Sequence, residues 1–128
     1  MTRDPILTDG APAAVGPYSQ AIAIDGFVFC SGQAALDPVT GALAEGGIEP
    51  ETERVLANLT AVLDAAGCGW GDVVKSTVFL TDMADFAAMN AIYARYVSEP
   101  QPARSTIGVA ALPKGACVEI EVIARRPA

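Results

Sequence analysis

The chain has 128 residues, 52% of them hydrophobic and 18% charged, and a net charge of −7. That length and apolar content suit one domain with one core and exclude a disordered chain. Lys and Arg total only 8 and are scattered, so the acidic balance opposes passive attraction to nucleic acid or anionic membrane. There is no histidine, so any chemistry falls to carboxylates, arginine, hydroxyls, thiols and backbone groups. The apolar excess is large for so small a domain, which predicts that part of its surface is covered by another subunit. No apolar run has the length of a membrane span, and the first residues lack the basic-then-apolar pattern of a signal peptide. Cys30, Cys68 and Cys117 are widely spaced and odd in number, which argues against a disulfide framework and against a zinc site. The simplest compartment is a reducing cytoplasm, with each thiol a small buried apolar group.

In chain order, a short strand near Ile6-Leu7 precedes two apolar runs, Tyr18 to Ile24 and Phe27 to Ser31, around Asp25-Gly26. That dipeptide predicts a two-residue hairpin turn. Leu36 to Gly47 reads as a loop, because Asp37-Pro38 and Thr40-Gly41 carry turn chemistry. Gly46-Gly47 is not a phosphate-binding loop, since no Gly-Lys-Ser/Thr follows it. A helix is predicted from Pro50 to Ala66, with Val55, Leu56, Leu59, Val62, Leu63 and Ala66 on one face and Gly67 as its stop. A strand from Val73 to Thr81 follows. A second helix runs from Met83 to Val97, with Asp82 as N-cap, a buried face of Phe86, Met89, Tyr93, Tyr96 and Val97, and Pro100 and Pro102 preventing continuation. Strands Arg104 to Val109 and Cys117 to Ala124, joined through Leu112-Pro113-Lys114-Gly115, close the chain.

This order is ββ-α-β-α-ββ. Two amphipathic helices cover only one face of such a sheet. Side-chain alternation in the last strand puts Val118, Ile120, Val122 and Ala124 toward the helices and Cys117, Glu119, Glu121 and Ile123 on the other face. Arg104, Thr106 and Gly108 are read as the matching set on that second face. Charges beside Val, Ile and Cys are not an ordinary solvated surface; the pattern predicts a face that meets another subunit and holds a polar site.

Gly16-Pro17-Tyr18-Ser19-Gln20-Ala21, Ser31-Gly32-Gln33, Val74 through Leu80, Asp85-Phe86 with Asn90, Pro102-Ala103-Arg104-Ser105, and Leu112-Pro113-Lys114 leading to Val118-Glu119-Ile120-Glu121 occur together in this order. The set resembles the RidA/YjgF family of imine/enamine deaminases over nearly the whole chain. The resemblance implies a chorismate-mutase-like α+β domain spanning residues 1–128. It also implies a homotrimer packed around a central barrel, with clefts between subunits. The implied activity is cofactor-free hydrolysis of reactive 2-imino acids, such as 2-iminobutanoate and 2-iminopropanoate, to 2-keto acids and ammonia. Two departures stand out: Thr106 replaces a cysteine common in the family, and Gln101 replaces a phenylalanine common before Pro-Ala-Arg. Both bear on the cleft, so they touch substrate range before reaction type.

Arg104 suits a substrate carboxylate, because its planar fork makes paired charge-assisted bonds. The strand pattern alone fits a salt bridge to Glu119 or Glu121 equally well, and the family motif favours the ligand role. Glu119 is the candidate to orient water and relay protons, against a role as mere partner of Arg104. Glu121 reads as structural. Tyr18 is a candidate to close the cleft or simply to pack at an interface. Ser31 and Gly32 offer a hydroxyl and a backbone amide near a ligand, or only a turn. Asn90, disfavoured mid-helix, reaches the site or holds a loop. Thr106 joins the binding set by its position. Lys75 reads as a partner of Glu121 or as solvated, and Cys117 as inert. Two other classes stay open: a trimer that binds small acids without turnover, and an endoribonuclease or translation inhibitor, which the acidic charge opposes.

Overall fold

The computed structural model describes residues 2–128. Its elements are β1 (Asp4–Ile6), β2 (Ala21–Ile24), β3 (Phe27–Cys30), α1 (Ile48–Ala65), β4 (Val73–Leu80), α2 (Phe86–Tyr93), β5 (Ala103–Gly108) and β6 (Val118–Arg125). Single 3₁₀ turns at Trp70–Asp72, Met83–Asp85 and Pro113–Gly115 lead into β4, α2 and β6. The strands form one mixed sheet in the order β1-β2-β3-β6-β4-β5. All neighbours are antiparallel except β4 and β5, which run parallel around the α2 crossover.

Asp25 and Gly26 both hold positive φ, 53° and 81°, as a two-residue turn between β2 and β3 requires. The first helix starts at Ile48, earlier than Pro50. Gly46 and Gly47, at φ 112° and 86°, swing the chain into the helix. Pro50 then falls inside the first turn, where no N–H is needed. The second helix is shorter than its pattern predicts. The Asp82 carboxylate accepts from the Ala84 amide, but in a 3₁₀ turn, and the far end tightens to Arg95→Ile92 and Tyr96→Tyr93 bonds.

Both helices pack on one face of the sheet. Val55, Leu56, Leu59, Val62 and Leu63 of α1, with Met89, Ile92 and Tyr93 of α2, bury against Val118, Ile120, Val122 and Ala124 of β6 and Val78 and Leu80 of β4. Each such side chain contributes about 1.5–3 kcal/mol on burial. Ile92 was not in the predicted face, while Phe86, Tyr96 and Val97 are only partly buried at its edge. The opposite face carries Phe27, Phe29, Phe79, Ile107 and Ile123 beside Glu119 and Glu121. Phe29 and Ile107 are each 45% exposed in the single chain.

The predicted alternation in β6 holds, but the placement of β5 does not. Ser76, Val78 and Leu80 of β4 pair with Val122, Ile120 and Val118 on the helix side. The same three residues pair with Arg104, Thr106 and Gly108. Residues paired across a ladder share a face, so Arg104, Thr106 and Gly108 lie on the helix-covered side, opposite Glu119. Alternation within a strand is legible from sequence; which side it faces depends on register with the neighbour.

Candidate functional site

Beyond Cys30 the chain continues beside β6. The Gln33 amide donates to the Ile120 carbonyl at 2.9 Å, and the Ile120 amide returns a bond to Gln33 at 3.2 Å. Gly32 therefore runs directly against Glu119, and a Cβ built at Gly32 would collide with the Glu119 carboxylate. Glycine is needed here for close approach. Burial, and secondarily the neighbouring Glu121 carboxylate, push the pKa of Glu119 above its ordinary value.

Three loops wall a cavity of about 600 Å³ over this carboxylate, lined also by Tyr18, Gly32 and Gln33. The first loop is fastened by the buried Gln20 amide. It accepts from the Thr8 amide at 2.8 Å and donates to the carbonyls of Thr8, Ala11 and Pro12. The Tyr18 hydroxyl accepts only a long bond, 3.4 Å, from the Val15 amide, and the ring is half exposed at the rim. In the second loop, Asp37 accepts from the Val39 and Thr40 amides, which lowers its pKa. Buried Asn58 of α1 ties that loop's base by donating to the carbonyls of Ala34 and Leu36. The third wall is the Pro113–Gly115 turn, where Lys114, at φ 59°, donates to the Gly41 carbonyl at 3.2 Å.

Arg104 lies outside this cavity. It borders another of about 410 Å³ with Asn90, Tyr93, Val97, Gln101 and Pro102. Its Nη1 donates to Asn90 Oδ1 at 2.7 Å. Its guanidinium carbon is 4.8 Å from the centre of the Tyr93 ring and 5.6 Å from that of Phe86, which suits a cation against aromatic faces. The Tyr93 hydroxyl makes a buried 2.6 Å hydrogen bond with Ser76 Oγ. Among the described residues the one salt bridge joins Arg95 to Glu53, so Arg104 does not pair with Glu119 or Glu121, nor Lys75 with Glu121.

The structure thus brings Tyr18, Gly32 and Glu119 together, and separately Arg104 and Asn90. Ser31 donates its hydroxyl to the Ser19 carbonyl at 2.6 Å, tying the loop to β3. Thr106 shares the face of Arg104 but lines neither cavity. The thiols are poor nucleophiles. Burial pushes Cys30 up to about 12, and burial with the Glu51 carboxylate pushes Cys117 up to about 11. Sequence reading missed the aromatic support of Arg104, although Phe86, Asn90 and Tyr93 at i, i+4 and i+7 form one helix stripe. It also missed Glu51, a buried carboxylate that accepts from the Cys117 amide at 2.8 Å.

The family model described as Endoribonuclease L-PSP matches residues 8–126. The chain is 57% identical to RutC family protein slr0709 of Synechocystis, over 99% of each chain. It is 51% identical to the mouse 2-iminobutanoate/2-iminopropanoate deaminase, over 97% of this chain and 92% of that protein. The crystal structure of RidA from an Antarctic Psychrobacter superposes with a TM-score of 0.92 at 50% identity, covering 96% of this chain and 99% of that one. The matched family model, relatives and architecture lead to one assignment: the chain belongs to the RidA family, whose sequence model carries the endoribonuclease L-PSP description.

Proposed function

We propose that the protein hydrolyses reactive 2-imino acids to 2-keto acids and ammonia in clefts formed between subunits of a homotrimer. The observation that carries this reading is the division of the site. Arg104 and Glu119 lie on opposite faces of one sheet, each beside an open cavity. One small substrate can reach both groups only if a neighbouring copy supplies one of them. The uncovered apolar face with Phe29 and Ile107 supports such packing. Named imino-acid deaminases at about 50% identity support the reaction class.

In this reading the substrate carboxylate sits on the edge of the Arg104 fork not used by Asn90, through a charge-assisted contact worth about 1.5–3 kcal/mol. The imine carbon then lies over Glu119 of the neighbouring subunit. The Glu119 carboxylate orients a water and takes its proton as the oxygen attacks C2. The C=N π pair moves to nitrogen, giving a tetrahedral carbinolamine. The proton passes to nitrogen. The remaining hydroxyl gives its proton to Glu119, which relays it to the amine, so nitrogen becomes an ammonium; the C–N bond pair then leaves with ammonia as the oxygen closes to the ketone. Water and imine are consumed and the carboxylate is restored. The raised pKa of Glu119 brings it nearer to a useful proton acceptor at neutral pH, a contribution typically of roughly 10²–10⁴-fold. Tyr18 closes the cleft at its rim. No histidine is needed.

The test is a competition assay. An amino-acid oxidase generates an imine, semicarbazide traps it, and purified protein is added. Wild type is expected to suppress the trapped adduct, while Arg104→Ala and Glu119→Gln do not. If folded wild type suppresses nothing across several amino acids, the enzyme reading fails, and binding of small acids without turnover takes its place.

A further inference from the structure

We propose that Tyr93, anchored by Ser76, is a positioning residue that holds the Arg104 guanidinium ready for a substrate carboxylate. This rests on the role given to Arg104 above. The starting observation is a polar pair in an apolar place. Ser76 is fully buried on the helix-covered face of β4 beside Val73, Val78 and Leu80, and Tyr93 of the covering helix α2 is 5% exposed. Burying two hydroxyls where a phenylalanine and an alanine would pack gains little for the core itself. Placement supplies the reason. Ser76 is the residue directly across the ladder from Arg104. Its bond to the Tyr93 hydroxyl, 2.6 Å, fixes the far end of the ring that lies 4.8 Å from the guanidinium carbon.

Asn90, one turn back on the same helix, takes Nη1 at 2.7 Å, and Phe86 adds a second ring at 5.6 Å. A long flexible arginine is thereby held by the strand that carries it, by a ring tied to the adjacent strand, and by an amide at one edge. The remaining edge is offered in a set orientation. Ordering that would otherwise accompany ligand binding is already present. Asn90 accordingly acts on substrate through Arg104.

The pair has a signature that a purely structural role lacks. The variants are Tyr93→Phe, Ser76→Ala, their double, and Ser76→Thr, which keeps the hydroxyl. Each is titrated calorimetrically with 2-oxobutanoate, a stable 2-keto acid, and assayed for imine hydrolysis. Each single variant is expected to weaken 2-oxobutanoate binding and raise KM by roughly three- to tenfold, with kcat within about twofold of wild type. The double should match the worse single variant, because both remove one bond. Ser76→Thr should restore affinity.

Unchanged affinity and KM beside a lowered Tm would make the pair ordinary core and overturn the proposal. So would effects that fall on kcat alone. If wild type binds 2-oxobutanoate yet turns over no imine, the deaminase reading fails, while the affinities still decide this inference. If wild type does not bind it, Arg104 is no carboxylate anchor and the inference falls with it.

Discussion

Arg104 stands directly across the β4–β5 ladder from Ser76, a residue of the helix-covered face, and so points away from Glu119 on the other side of the same sheet. A division of this kind is testable by complementation. On the composite reading, Arg104→Ala and Glu119→Gln should each be inactive. When the two are unfolded and refolded together, random mixing should restore roughly a quarter of wild-type activity, because a cleft works when one subunit keeps its arginine and the neighbour keeps its glutamate. No recovery in mixed trimers, shown by mass to have formed, would place both groups in one subunit's site.

Gly32 should be far more sensitive than its turn-like appearance suggests. In Gly32→Ala the new methyl meets the end of the Glu119 side chain, which can swing aside, so the fold should survive with a small change in Tm. The displaced carboxylate should lower kcat by about 10²-fold. Kinetics and thermal melts on the same preparation check both halves of this expectation.

The acid limb of kcat/KM should report Glu119. Its pKa is raised by burial first and by Glu121 second, so activity should begin to fall at a higher pH than an ordinary glutamate would give. Glu121→Gln removes the second cause and should move the limb to lower pH. The sign for stability follows the same shift. Ionising Glu119 in the folded chain is disfavoured, so the cost is absent below the unfolded carboxylate pKa and appears as pH rises through the raised one. Glu121→Gln should therefore narrow the stability loss between acid and neutral pH, as denaturant melts at several pH values would show.

Asn58 should prove to be a stability residue with an effect on the cleft. It is buried, receives Arg54 Nε at 3.0 Å, and donates to the carbonyls of Ala34 and Leu36. Asn58→Ala takes the side-chain donor from the Leu36 carbonyl at the base of a cavity wall, while the Ala34 carbonyl keeps the Leu36 amide at 2.9 Å, and should cost about 1–3 kcal/mol. Leu59→Ala, which only opens a hole in the core, should cost about 2–5 kcal/mol. Denaturant midpoints measure both, and Asn58→Ala alone should also raise KM.

Much of this fold was legible because its elements announce themselves locally. The Val55-to-Leu63 stripe, the Asp25-Gly26 turn and the alternation of Val118 to Ala124 each depend on near neighbours. Glu119 was legible too, as a charge inside an apolar strand. Arg104 was found as a residue but assigned to the wrong face, since the parallel pairing with β4 is a long-range fact. The cavity walls were missed for the same reason: the 12–18, 36–41 and 113–114 segments meet only in three dimensions. Ser31, read as a ligand contact or only a turn, donates its hydroxyl to the Ser19 carbonyl, a long-range tie that no local pattern announces.

The placement of Arg104 and Glu119 on opposite faces also has a genetic meaning. On the composite reading every polypeptide lends one half-site to the copy on its left and another to the copy on its right. A chain defective at both residues would silence each cleft it borders while leaving assembly intact. Alleles that spare folding should then act dominantly over a normal copy, whereas alleles that prevent folding should be recessive, and the milder-looking protein would carry the stronger phenotype.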